Sequence, residues 1–408
     1  MKPFFYSFLI LILSIVININ AQTADSKNSK KEKKSTTSLT TEDKDKVIDY
    51  GETVKVVADE TGEFSEGLAP IMRDNKWGFI NTRGQVVIEP KYIFPMAVPV
   101  FRDSVVRLYD PSTKRWGYLG FDGNAALPFK YYACSDFENG FAISYKPGLA
   151  ADPKSGPAHI EIITKIGITL IKKVPCDYSY TTVFKEGLAR TNKGVNYGFM
   201  NVLGMEIGDN TYSDVRDFSD SMAAVQKNGK WGFIDKTGTL KVPLMFTNEP
   251  KSFSNERAFV QGSNNLYGII DKEGKIIVEP KYNQVFPFEN GVAAVSTMDK
   301  GYHENFAIID TNGKVIKDFP RPKRDDDQIA FFSGFKDGLA IVQKGFAMDR
   351  GFIDTKGKMV TGFDFNNLKS FNNGLAYAEK FDNKTNARTK GFINRNGKWV
   401  IQIEKSQF

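Results

Sequence analysis

The chain has 408 residues, 41% hydrophobic and 25% charged, the balance of a folded soluble protein. Its formal charge is +7, with acids and bases interleaved and no basic face, which argues against a nucleic-acid partner. Length alone suggests two or three domains, but internal repetition overrides that reading, because a stacked array grows without changing its core.

The N-terminus reads as a targeting segment. Lys2 precedes the apolar run Phe4–Ile17, which has the length of a signal-peptide core and is short for a membrane span. Ala21 offers a small residue for cleavage and no cysteine stands nearby to accept a lipid, so residues 1–21 are expected to be removed on export. The product is then periplasmic, at the cell surface or secreted, with no stable membrane span. Residues 22–46, rich in Ser, Thr, Lys and Glu, lack apolar periodicity and are expected to form a disordered linker.

From residue 47 to 408 one pattern keeps returning. KWGFINTRG at Lys76–Gly84 recurs as RWGYLGFDG, KWGFIDKTG, LYGIIDKEG, RGFIDTKG and KGFINRNG, with weaker copies at 159–167, 196–204 and 306–313. That makes nine, each with six residues from the Gly of the Trp-Gly pair, or its replacement Glu161 or Ala307, to the Gly closing the turn. Each copy follows a second motif, Phe-x-x-Gly-Leu-Ala or a relative, beginning at Phe64, Phe101, Phe137, Phe184, Phe218, Phe253, Phe288, Phe335 and Phe371.

The module reads as a small antiparallel meander. Strand A is the Leu-Ala-x-Val run and strand B is Trp-Gly-Phe-Ile. Their shortest link, Asn228-Gly229, is a strong two-residue hairpin signal because both positions want positive φ. Asp/Asn-x-x-Gly joins B to C, the acid capping its own turn and the glycine taking the left-handed place. Pro-x-Tyr connectors, as in Glu89–Tyr92 and Glu279–Tyr282, end strand C, and a fourth short strand is expected before the next Phe, as at 281–286.

A unit of about 35–45 residues exposes too much surface to stand alone, so modules must bury themselves against neighbours. The expected seam consists of the strand-B aromatics Trp77, Trp116, Tyr197, Trp231 and Tyr267, the motif Phe and a repeated Ala. The fold class is all-β: about nine three- to four-stranded antiparallel modules, as an open superhelical array or a propeller-like ring. Pairing of the strand-like Val54–Val57 with Trp399–Glu404 would close a ring, whereas nine modules make a large one and favour the open form.

These residues resemble the WG-repeat family, tandem modules named for the Trp-Gly dipeptide. The resemblance spans about 64–405 and implies β-rich interaction repeats, often without a known activity. The dipeptide itself stands at Trp77-Gly78, Trp116-Gly117 and Trp231-Gly232, with Arg350 and Lys390 implying less aromatic burial towards the C-terminus.

No constellation singles out a reaction. His159 and His303 have no partner at metal or triad spacing, and no nucleophile elbow, phosphate loop or Cys-x-x-Cys appears. The recurring turn Asp, often beside Lys, reads as a turn cap and not a calcium ligand, and Asp325–Asp327 as a self-screened loop. Neither a catalytic residue, a metal nor a cofactor is expected. Export would permit a bond between Cys134 and Cys176, against two buried thiols.

Length variation instead points outward. The B–C turn never changes length, whereas the A–B link swells at 146–158, 297–305 and 381–390, and a connector insert lies at 321–328. If these tips share one rim, it is the expected binding surface, with Tyr145, Tyr302 and Phe381 as its exposed aromatics. The reading is a non-catalytic exported scaffold binding a protein. Its alternatives are a glycan or cell-envelope binding module and, further off, a glycoside-hydrolase-like enzyme.

Overall fold

The computed structural model describes residues 51–94, 98–147, 157–174, 183–345 and 349–405. The expected signal peptide and linker lie outside them. Among the described residues the strands fall into nine small sheets, one per module, arranged as a nine-bladed β-propeller.

Blade 1 shows the plan. A short leading strand, Glu60–Thr61, is followed by strand A (Leu68–Arg73), strand B (Lys76–Asn81) and strand C (Val86–Tyr92), each antiparallel to the one before. The leading strand is the expected fourth one; it recurs as Gln284–Val285 in blade 7, paired with Ser296 and Val295.

The ring closes through its ends. Val54–Val57 adds a fifth strand to the last blade, parallel to Trp399–Glu404, with Val54 opposite Ile401 and Val57 opposite Glu404. Ala58 N–H donates to Glu404 O at 2.9 Å, Thr53 Oγ1 to Trp399 O at 2.9 Å, and Lys55 pairs with Glu404 at 2.7 Å. The seam behind this clasp is apolar: Phe64 of blade 1 meets Phe392 of blade 9 edge-to-face at 4.6 Å. Module number, which favoured an open array, does not prevent closure because the last seam is packed like the others. Val56→Ala is expected to lower unfolding free energy by about 2 kcal/mol, at ~0.8 kcal/mol per buried methyl-sized group. Val57→Ala, on the exposed side of the same strand, should be nearly silent in the same denaturation experiment.

Five of the remaining eight seams use two phenylalanine-type rings, and Ile162, Ile269 and Ile308 take the first ring's place in the other three. The residue two places after the Trp stacks on the motif Phe of the next blade, as in Phe79–Phe101 at 4.9 Å, Tyr118–Phe137 at 4.7 Å, Phe199–Phe218 at 4.8 Å and Phe233–Phe253 at 4.7 Å. These edge-to-face pairs bury the largest area for the fewest side-chain torsions. The repeated alanines are fully buried beside them, Ala69, Ala142, Ala189 and Ala340 among them.

The glycine of Trp-Gly has a specific cause. In blade 1 Trp77 pairs with Tyr92 and Phe79 with Ile88, so strand C carries extra residues at Glu89–Lys91 and bulges over Gly78. A Cβ on Gly78 would lie 2.3 Å from Ile88 O and 2.6 Å from Pro90 N. Blade 7 carries Ala307 at that place, and there the pairing runs without a bulge from Phe306–Phe319 through Ala307–Asp318 to Ile308–Lys317. At Ala307 the change of residue goes with a change of register.

Candidate binding surface

An antiparallel meander sends alternate links to opposite faces of the ring. The turn from leading strand to A and the B–C turn share one face. The A–B hairpins and the connectors between blades share the other.

The turn face is locked. In all nine blades the two residues after Phe-x have positive φ, as in Glu66 (52°) with Gly67 (88°) and Asp220 (53°) with Ser221 (65°), the geometry of a two-residue hairpin turn. In five blades the side chain of the first of the pair reaches the next blade. Glu66 accepts from Asp103 N–H (2.8 Å) and Ser104 N–H (2.7 Å), Glu186 from Ser221 N–H (3.0 Å), Asp220 from Glu256 N–H (2.6 Å) and Asn255 from Gly291 N–H (2.6 Å). B–C turn lysines join them: Lys236 pairs with Glu186 at 2.9 Å and Lys272 with Asp220 at 3.0 Å. Burial alone would raise the Asp220 carboxyl, but the Glu256 amide and Lys272 outweigh it and hold it below the usual range. The acids of the B–C turns are caps, as expected: Asp235 Oδ1 accepts from Thr237 N–H (2.9 Å) and Thr239 N–H (3.1 Å).

The loop face is where the chain varies. The blade 7 hairpin carries Tyr302 at its tip, 84% exposed, with Asp299 folding the turn by accepting from Gly301 N–H (2.7 Å) and His303 N–H (3.0 Å). Phe381 stands at the end of strand A in blade 9, partly exposed, its N–H donated to Asn366 Oδ1 at 2.6 Å. The blade 4 hairpin presents Val195, 83% exposed. The connector 321–328 reaches the same face, where Gly345 N–H donates to Gln328 O at 2.7 Å and Lys344 pairs with Asp327 at 3.0 Å. Asp325–Asp327 is a short 3-10 turn whose charge is met by Arg321, 2.7 Å from Asp325.

Tyr145 does not belong to this rim. It is 0% exposed, because strand A of blade 3 runs on to Pro147 and places Tyr145 opposite Ile160, inside the seam with Phe184 and Met200. Trp77, Trp116 and Trp231 are buried as expected, and Tyr197 and Tyr267 are half-buried. Each of these rings sits at the loop-face end of its seam, opposite the connector aromatic: Trp116 with Tyr131, Tyr197 with Tyr212, Trp231 with Phe246, Tyr267 with Tyr282. Arginines cover two of them, Arg107 over Trp116 and Arg216 over Trp231, both at 5.0 Å.

Cys134 is a buried thiol, pushed up to about 12 by burial and therefore a poor nucleophile. Cys176 lies outside the described residues, so the expected pairing does too. Among the described residues no three His, Cys, Asp or Glu side chains converge as metal ligands, and no helix is long and apolar enough to cross a membrane.

A family model for the WG-containing repeat matches residues 59–77, 77–92, 116–143, 197–231, 231–266, 267–302, 351–384 and 391–404, more than half of the chain. The chain belongs to the WG-repeat family. The stretches left unmatched include the eroded module around 157–174 and much of the blade 7 to blade 8 passage. No curated protein matches the sequence. Among solved structures the WG-repeat ring is similar to Hsv2 of Kluyveromyces lactis, at 10% identity over 81% of this chain and 95% of that one, TM-score 0.32. It is also similar to apo AztD of Citrobacter koseri, at 11% identity over 73% and 84%, TM-score 0.32. Scores this low add nothing to the functional reading.

Proposed function

We propose that this WG-repeat propeller is an exported, non-catalytic scaffold that binds a protein partner through its loop face. The supporting observation is an asymmetry between faces. Turns of fixed length are bonded blade to blade on one side, and the variable hairpins of blades 7 and 9 and the 321–328 connector open on the other, while most of the 146–158 insert lies outside the described residues. A surface free to change length while its frame stays fixed is how loop-borne binding sites are built. The glycan alternative needs a contiguous aromatic strip, and it loses Tyr145 to the seam.

The test is capture from a cell-envelope extract on the immobilised chain 22–408, compared with Val195→Ser, Tyr302→Ser and Phe381→Ser. At least one captured protein should fall roughly tenfold or more with one of these variants, as for a truncated interface anchor. Equal recovery of every protein by all four chains overturns the reading.

A further inference from the structure

Blades 5 and 8 carry the same cation–ring pair with its members exchanged. In blade 5 Arg216 lies over Trp231, and in blade 8 Arg350 lies over Phe332, 3.6 Å from the ring centre. The registers match. Trp231 stands opposite Gln226 and Arg350 opposite Gln343, while Arg216 N–H donates to Ala224 O and Phe332 N–H to Ile341 O. Arg350 therefore occupies the tryptophan place and Phe332 the arginine place.

The exchange leaves the charge uncompensated. Arg216 donates to Glu249 through two bonds of 2.7 Å and to Asp214 at 2.6 Å, and these acids hold its guanidinium above the usual range. In blade 8 both acids are gone. Ala330, opposite Gln343, stands where Asp214 stands opposite Gln226. Asn367, two residues before Lys369, stands where Glu249 precedes Lys251, each lysine donating its N–H to strand A of the following blade. Asp349, next in the chain to Arg350, is turned to Asn366, whose Nδ2 donates to it at 3.0 Å. Arg350 is 9% exposed, its Nε has no hydrogen-bond partner, and among the described residues no carboxylate pairs with it. Burial alone acts on it and holds the guanidinium below its usual range. A desolvated charge with a ring on one side and no acid lacks the partner that the matching pair in blade 5 already has. Phe332 is 51% exposed, so the apolar member of the pair faces outwards.

We propose that Arg350 and Phe332 are an anchor point of the loop face, where an aspartate or glutamate side chain of the protein partner pairs with the guanidinium and an apolar neighbour of that acid packs on the ring. The proposal rests on the loop-face reading above. A protein side chain fits better than a small free acid, because Phe332 offers an open face and not an enclosed pocket.

NMR of the nitrogen-labelled chain 22–408 tests it by following two signals, the Arg350 Nε–H, identified by its loss in Arg350→Lys, and the Phe332 backbone N–H. The probes are N-acetyl-Leu-Glu-Leu amide, its Leu-Gln-Leu counterpart, and acetate. The glutamate peptide should shift both signals to saturation, and the glutamine peptide should bind roughly tenfold or more weaker, the worth of a charge-assisted contact. Arg350→Met keeps the bulk and removes the charge. It should hold or raise the urea midpoint and abolish the response at Phe332. The proposal is overturned if the two peptides act alike, if neither shifts either signal, or if acetate acts at the same concentration as the glutamate peptide. A clear fall in the midpoint of Arg350→Met would also overturn it, by making the guanidinium a structural contact. The two readings fail separately in the extract. A protein whose capture depends on Tyr302 or Phe381 and survives Arg350→Met overturns this proposal and keeps the loop-face reading. Equal capture by every chain, with the peptide response intact, overturns the loop-face reading and leaves the acid site.

Discussion

Trp231→Ala is expected to lower the free energy of unfolding by about 3–5 kcal/mol, the range for deleting a large ring from a core. The indole is 4% exposed and packs with Phe233, Val242, Phe253 and Val260, side chains of two blades, so its loss leaves a void that neither blade can close alone. The cation above it adds to the cost. Arg216 lies 5.0 Å from the ring while its guanidinium is fixed by Glu249 through two bonds of 2.7 Å and by Asp214 at 2.6 Å, so it cannot swing down to fill the gap. Tyr267→Ala removes a half-buried ring at the matching place and should cost clearly less in the same urea titration. A Trp231→Ala loss below about 1 kcal/mol would mean that the indole is not a seam anchor.

Gly232→Val should cost about 3 kcal/mol, the upper part of the usual range for overpacking. A Cβ at that place lies 2.5 Å from Val242 O and 2.8 Å from Pro243 O, and both are backbone atoms of the strand C bulge, which has no rotamer to escape into. Its counterpart is Ala307→Gly. Blade 7 has no bulge opposite that residue, so the change should cost about 1 kcal/mol at most, the ordinary penalty for glycine in a strand. If both substitutions cost the same, the bulge is not the reason for the glycine.

Much of this was legible in the residues. Nine recurrences of a Trp-Gly segment with a fixed six-residue spacing gave the blades, and the glycine closing each B–C turn has positive φ in all nine. Local chemistry of that kind is written in a few adjacent positions. Ring closure was not, because it depends on whether Val54–Val57 meets Trp399–Glu404, more than 340 residues away by sequence number. The ring two places after each Trp was also missed as the partner of the next motif Phe, since alternation shows which face a residue takes but not whose ring it will meet. In sequence, Phe-x-x-Gly stands only as a motif that precedes each Trp-Gly copy, with no turn assigned to it. The signal for a turn was there, in Glu-Gly, Asn-Gly and Asp-Gly pairs that favour two successive positive φ values. Tyr145 was misplaced for a plainer reason: the blade 3 strand outlasts the repeat pattern, and an insert counted from sequence begins too early.

The parallel run of Val54–Val57 beside Trp399–Glu404 also sets how the molecule would bear tension. The chain enters the first of these strands from one end of the pair and leaves the second from the other. A force drawing the two termini apart therefore shears the pair lengthwise, loading its hydrogen bonds together instead of unzipping them one at a time.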